Sequence, residues 1–291
     1  MIFLDPKSDI AFKKLFSNKE HTDILINFLN NTLNRPEGQK ITTVTINDPH
    51  NQPDVITGKS SIVDVRCTDQ KKINYILEMQ VINQKDFAQR CQYYVATAIS
   101  RQLQRANRFI TIIPVIFVGI LNYKIFKSPH YLSHHSIVNL ETGERTLNAQ
   151  EYHFIELKKF DKKLDELTSD FDKWVYFFKN AENLHAIPTQ LKKPQAMQEA
   201  FNILERGNWT TQELDVYERS IDLIRERFSQ IETAREEGME KGRLEGKLEG
   251  SLEGEQKKAV EIAKGLLDVL DVATIAKKTG LSIEEIEELK K

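Results

Sequence analysis

Asp64 and Glu78 stand on two short apolar runs, residues 60–68 and 73–81, with only polar residues 69–72 between them. At a period of two, the first run puts Ile62, Asp64 and Arg66 on one face, and the second puts Ile76, Glu78 and Gln80 on one face. If 69–72 form a tight hairpin, Asp64 lies opposite Glu78 to within about one residue of register. A carboxylate taken out of water costs several kcal/mol unless something positive compensates it, so this pair calls for a cation or a basic partner. A carboxylate pair of this kind can hold a metal ion.

The elements that must position the pair follow from the pattern on either side. Asp5 and Pro6 read as the N-cap and first turn of a helix over 6–16, with Phe12, Leu15 and Phe16 at helical spacing. A second helix over 19–34 carries Ile24, Leu25, Phe28 and Leu29 on one face and stops before Pro36. Residues 41–46 alternate as a strand, and 49–58 read as a loop. After the hairpin come a helix over 84–106, a strand over 110–121 buried on both faces, a polar excursion over 127–150 and a strand over 151–157. The fold class is α/β: a core over 1–183 in the order helix, three strands, helix, strand, followed by an all-helical C-terminal extension.

That extension divides into a helical part over 184–235, a repeat over 236–256 and a small module over 257–291. Thr210 and Glu213 form a capping box that opens a long helix. It enters a repeat with glycine at every fourth place (Gly238, Gly242, Gly246, Gly250 and Gly254), and Leu244, Leu248 and Leu252 share the period. Each interior glycine costs a helix roughly 1 kcal/mol relative to alanine, so the segment needs outside support. Two readings stand: a close seam between helices, or a charged, partly helical spacer. Residues 257–270 are amphipathic, and 271–291 resemble a helix-turn-helix with Gly280 in the turn, Ile286 in the core and a Ser282–Glu285 capping box. Its second helix presents Glu284, Glu285, Glu287 and Glu288, which phosphates repel, so it reads as a protein-contact or oligomerisation module.

Composition sets limits. The 291 residues hold 41 Lys and Arg against 43 Asp and Glu, and a net charge of -2 gives no whole-molecule signal for nucleic acid. The distribution says more: Lys85, Arg90, Arg101, Arg105, Arg108, Lys124 and Lys127 face a single acid, Asp86, within that stretch. Basic charge directly after the carboxylate motif suits a polyphosphate. Cys67 and Cys91 have neither zinc spacing nor a disulfide framework, which points to a reducing cytoplasm. The apolar run 109–121 is shorter than the roughly 20 residues that span a bilayer and contains Pro114. The seven histidines show no ligand spacing.

Residues 64–80 resemble the PD-(D/E)XK nuclease motif, with Val63-Asp64 in the "PD" place and Glu78-Met79-Gln80 in the "(D/E)XK" place. The opening DIAFKKLF, residues 9–16, resembles the start of the Rpn-type recombination-promoting nucleases, a group also labelled transposases. Phe87, Arg90 and Tyr94 resemble that group's F/R/Y helix, and residues 279–286 resemble its tail. The resemblance covers most of the chain. It implies metal-dependent cleavage of DNA, duplex and bound largely without sequence preference, in a bacterial cytoplasm, by a homodimer or higher oligomer joined through the C-terminal helices, with no membrane role. A link to recombination, mobile elements or defence is implied too. Asp64, Glu78 and the backbone carbonyl of Met79 would hold a hard divalent ion, Mg²⁺ first, with Mn²⁺ or Ca²⁺ as alternatives.

Gln80 departs from the broader motif's lysine, since an amide hydrogen-bonds but carries no charge. In the resembled group this glutamine is usual. Arg90 is the first candidate to supply the missing charge, ahead of Lys13 and Lys85; its plainer reading is an ion pair with Asp86. Asp9 either joins the site or only caps the first helix or pairs with Lys13. Tyr94 is an auxiliary candidate whose plainer role, like that of Tyr93, is packing. A non-catalytic nuclease-fold scaffold that binds DNA or a partner is the competing function. A DDE-type transposase is weaker, because no third acid stands at a persuasive place on a following helix.

Overall fold

The computed structural model describes residues 1–47, 64–105 and 112–290, without the side chains of 103–105. The expected loop 49–58, the first part of the expected strand 60–68, and the start of the expected strand 110–121 lie outside these residues. The chain divides into two compact units, Met1–Arg225 and Glu226–Lys291. No helix among the described residues is long and apolar enough to cross a membrane.

The first unit opens with α1 (Asp9–Phe16) and α2 (Thr22–Leu33), then β1 (Val44–Asn47), β2 (Val65–Asp69), β3 (Asn74–Gln80), α3 (Phe87–Arg105), β4 (Val115–Leu121), β5 (Leu132–Ser136) and β6 (Gln150–Glu156). The six strands form one sheet in the order β1-β2-β3-β4-β6-β5. β3, β4 and β6 run parallel at its centre, while β1, β2 and β5 pair antiparallel. Every residue of β4 is buried, which accounts for its unbroken apolar run. Gly119 at its middle has a reason: a Cβ there would meet Phe154 Cδ1 at 3.0 Å and Phe117 Cε1 at 3.1 Å.

Two corrections to the expected order follow. The excursion over 127–150 is not wholly irregular, because β5 pairs along β6 as an edge strand. The core is therefore two helices, three strands, a helix and three strands. Asp5 does not cap the first helix. Ser8 does, its Oγ accepting from Ala11 N, while Asp5 accepts from Lys7 N at 2.9 Å and lies 2.7 Å from Lys7 Nζ.

The sheet separates two apolar layers. On one face Val65, Cys67, Tyr75, Leu77, Met79, Ile116, Val118, Ile120 and Ile155 meet α1, α2, α4 (Asp170–Asn180) and α5 (Gln195–Leu204). An aromatic cluster of Phe16, Phe28, Trp174 and Phe178 fills that layer. Residues 184–225, read from sequence as a helical extension, lie within this same unit, and Met197, Ala200, Phe201 and Leu204 of α5 are buried there. On the other face Ile76, Val115, Phe117 and Phe154 meet Phe87, Cys91, Val95 and Ala98, the i, i+4, i+8, i+11 stripe of α3.

α6 (Thr211–Leu266) begins at the Thr210–Glu213 box, where Thr210 N donates to Glu213 Oε2 at 2.9 Å. The glycine repeat is helical here, and Leu244, Leu248 and Leu252 are exposed. In the second unit α7 (Val272–Thr279) ends at Gly280 in the left-handed region, and α8 (Ile283–Glu288) starts at the Ser282–Glu285 box. Ala263, Ile275, Leu281 and Ile286 form its core.

Candidate active site

The hairpin that carries the two acids is built around Asp69. Its Oδ1 accepts from Lys71 N at 2.8 Å and Ile73 N at 2.9 Å, and its Oδ2 accepts from the Tyr75 hydroxyl at 2.9 Å. Lys72 closes the turn at φ 64, and Arg35 lies 3.7 Å from the Asp69 carboxylate. This turn fixes Val65 against Leu77 and Arg66 against Ile76. Extended by one residue, the same register sets Asp64 across from Glu78.

The two carboxyls act on each other at the open end of the hairpin. Asp64 Oδ2 accepts from Met79 N at 2.7 Å. Because N–H and C=O of one strand residue point to the same side, the Met79 carbonyl also faces the β2 side of the strand, where Asp64 lies. Glu78 is 3 % exposed, and its Oε2 accepts from Gln80 Nε2 at 3.1 Å. Burial pushes the Glu78 carboxyl up, Asp64 adds repulsion, and Arg90, Gln80 and Lys13 only partly offset the two. Burial likewise raises Asp64 against the Met79 hydrogen bond, with Asp9 adding to the rise and Lys13 opposing it. Both acids thus hold their protons unusually tightly.

α3 supplies the surroundings. Phe87 is fully buried, and Arg90 and Tyr94 border the buried stripe at i+3 and i+7. Arg90 Nη1 donates to Gln84 Oε1, and its guanidinium carbon lies 5.8 Å from the Phe87 ring centroid. Tyr94 feels the charges of Glu78, Arg90 and Asp64, and its hydroxyl is pushed up chiefly by burial. Asp9 does not cap α1, which Ser8 does; it pairs with Lys13 at 3.0 Å, and its charge acts on Asp64. Tyr93 is exposed. Of the basic stretch, Lys85, Lys124 and Lys127 are exposed, Arg101 is half-buried, and Arg108 lies outside the described residues, as does the Arg105 side chain.

Sequence reasoning missed Tyr123, two residues beyond β4. Asn122 N donates to Gln80 O at 2.8 Å, which carries the parallel ladder to the end of β3 and sets Tyr123 just past it. Its hydroxyl is buried without a partner and is pushed up to about 12 by burial, with Arg90 opposing and Glu78 adding to the rise. A strand-end tyrosine carries no distinguishing signal in one sequence. Among the described residues, the set of three acidic or imidazole groups with ligand atoms within 4.8 Å of one another is His21, Asp23 and Glu199, and it does not include Asp64 or Glu78.

A mixed sheet with a hairpin-borne acid pair and a long helical tail fits a known nuclease family, and comparison agrees. The model of the PD-(D/E)XK nuclease family transposases matches residues 6–234, and the chain belongs to that family. Comparisons with curated proteins and with solved structures returned no match.

Proposed function

We propose that the chain is a metal-dependent endonuclease that hydrolyses phosphodiester bonds in DNA. The observation that supports this best is the mutual repulsion of Asp64 and Glu78 at the end of the β2–β3 hairpin, where burial holds the protons of both carboxyls tightly. Arg90 and Lys13 leave that charge incompletely compensated, and the donor set is all oxygen, which suits a hard divalent cation. Asp64, Glu78 and the Met79 carbonyl would hold it, with Mg²⁺ preferred and Mn²⁺ or Ca²⁺ as substitutes. Bound there, the ion would lower the pKa of a coordinated water and offset charge on the phosphorane-like transition state.

The chain's own groups do the rest. The Met79 N–H fixes one Asp64 oxygen and the Gln80 amide fixes one Glu78 oxygen. Arg90 supplies the positive charge that Gln80 lacks, Lys13 restrains Asp9, and Tyr94 bounds the site on α3. Water attacks phosphorus and gives up a proton to solvent, the P–O bond to the leaving oxygen breaks, and that oxygen takes a proton from solvent. The exposed Lys85, Lys124 and Lys127 suit a duplex backbone bound largely without sequence preference. Two copies join through the glycine-bearing C-terminal helices. The setting is the bacterial cytoplasm, in recombination, mobile-element or defence biology.

The test is a supercoiled-plasmid nicking assay across Mg²⁺, Mn²⁺ and Ca²⁺. Wild type nicks; Asp64→Asn and Glu78→Gln do not, while circular dichroism shows both folded. Plasmid left intact at every metal and protein concentration refutes the reading. One observation favours a second, non-catalytic nuclease-fold scaffold: the neutral Gln80 amide occupies a Glu78 oxygen where the broader motif has a lysine. That scaffold shows no metal-dependent rise in melting temperature.

A further inference from the structure

Three buried side-chain polar atoms among the described residues lack a hydrogen-bond partner: Arg90 Nε, the Tyr123 hydroxyl and His153 Nδ1. The first two are donors whose side chains both lie against one ring, that of Phe87. The fully buried Phe87 ring packs edge-to-face on Tyr123 with centroids 6.4 Å apart and lies 5.8 Å from the Arg90 guanidinium carbon. Both groups also sit around Glu78, whose charge acts on Tyr123 as that of Arg90 acts on Glu78.

A buried donor without an acceptor is rare in folded proteins, and two around one ring point to an acceptor that arrives from outside. Arginine Nε–H has no accepting capacity, so the missing group is an acceptor, and a guanidinium beside a hydroxyl matches an oxyanion. We propose that Arg90 Nε–H and the Tyr123 O–H receive the non-bridging oxygens of the backbone phosphate beside Glu78, which makes Tyr123 part of the substrate site. The identity of that phosphate as DNA rests on the endonuclease reading; the donor pair does not. Both donors are covered in this arrangement, so the oxygens enter by displacing side chains. Arg90 and Gln84 are half-buried and joined to each other only by a hydrogen bond to a neutral amide oxygen, and they are the groups that give way.

The experiment has two arms on the full chain. In the first, inorganic phosphate is titrated calorimetrically into metal-free wild type, Tyr123→Phe and Arg90→Lys. Each variant binds phosphate about tenfold more weakly, the loss expected of one hydrogen bond. In the second, plasmid nicking with Mg²⁺ falls about 10²–10³-fold in Tyr123→Phe, the scale of one lost oxyanion donor. Melting curves establish that each variant folds. Should Tyr123→Phe fail to fold, Arg90→Lys carries the test, since it keeps the charge and removes the Nε–H. Phosphate binding equal in all three proteins, or absent from wild type, overturns the subsite even if wild type nicks DNA. Donor-dependent phosphate binding in a wild type that never nicks upholds the subsite and refutes the endonuclease instead.

Discussion

Replacing Glu78 with glutamine should make the metal-free protein more stable above neutral pH while destroying its proposed activity. The Glu78 carboxyl is raised from 4.5 to about 8, mainly by burial and by Asp64. A carboxyl with a raised folded-state pKa binds its proton more tightly folded than unfolded. Its favourable contribution is therefore full below 4.5, declines as pH rises, and is gone above about 8. At about 1.4 kcal/mol for each pH unit of displacement, ionising Glu78 costs the fold up to about 5 kcal/mol. Glutamine keeps the shape and removes the charge, at about 1–3 kcal/mol for an amide group left short of a partner. The variant is thus less stable than wild type near pH 5 and about 2–4 kcal/mol more stable near pH 9. At roughly 2–4 °C per kcal/mol for a unit of this size, its melting point lies about 4–16 °C higher at the alkaline end.

The assay is a series of thermal melts in chelator from about pH 5 to pH 9, read as variant minus wild type. Subtraction removes the titrating groups that do not interact with Glu78. His134 and His135, lowered by burial, lose stability as pH falls below 6.5 in both proteins. Glu151, held down to about 2 chiefly by His153, and Asp172, held well below the usual range by Tyr131 and Lys162 against the opposing effect of burial, contribute fully across the window. Mg²⁺ at pH 8 raises the wild-type melting point and leaves the variant nearly unmoved. A difference that stays flat from pH 5 to pH 9, or a variant less stable at pH 9, refutes the account of Glu78 as an acid under strain.

Gln80→Lys places an ammonium beside Glu78, and the pH at which wild-type stability declines should fall by about 1–3 units in the same melts. Asp69→Ala strips the hairpin of three hydrogen bonds and leaves Tyr75 and Arg35 without their acceptor. Urea unfolding should show a loss of about 3–5 kcal/mol. Gly242→Ala with Gly246→Ala meets no atom within 4 Å in this chain and improves helix propensity by up to about 1 kcal/mol per site. If two copies pack their backbones closely along that stripe, sedimentation should show weaker self-association despite the better helix former, and unchanged association would leave the repeat as a spacer.

The hairpin was legible because two constraints agreed. Period-two alternation fixes faces, and a short polar turn leaves little freedom in register, so Asp64 and Glu78 follow from counting. β5 was not legible for the opposite reason. Its five residues, Leu132–Ser136, are a leucine, two serines and two histidines, half-buried or exposed on a sheet edge, where pairing to β6 rather than apolar burial makes the strand. The first N-cap went astray because Asp5 and Ser8 are both capping types three residues apart. Lys7, which holds Asp5, decides between them through its contact with Glu182 at 3.0 Å, far along the chain. Tyr123 fails the same way, since its significance comes from Phe87 on another element.

Glutamine at position 80 has an energetic consequence under the endonuclease reading. A lysine there would compensate Glu78 at all times and leave a divalent ion less to relieve. The amide holds Glu78 in place without neutralising it, and Arg90, tied to Gln84, compensates it only in part. Below their raised pKa values both carboxyls therefore hold protons that a cation must displace, and that competition weakens metal binding as pH falls. Metal uptake should release protons, and more of them per ion at pH 6 than at pH 9, where the acids are already ionised. Calorimetry in buffers of different ionisation enthalpy counts those protons directly, and a count independent of pH would show that Asp64 and Glu78 do not hold the ion.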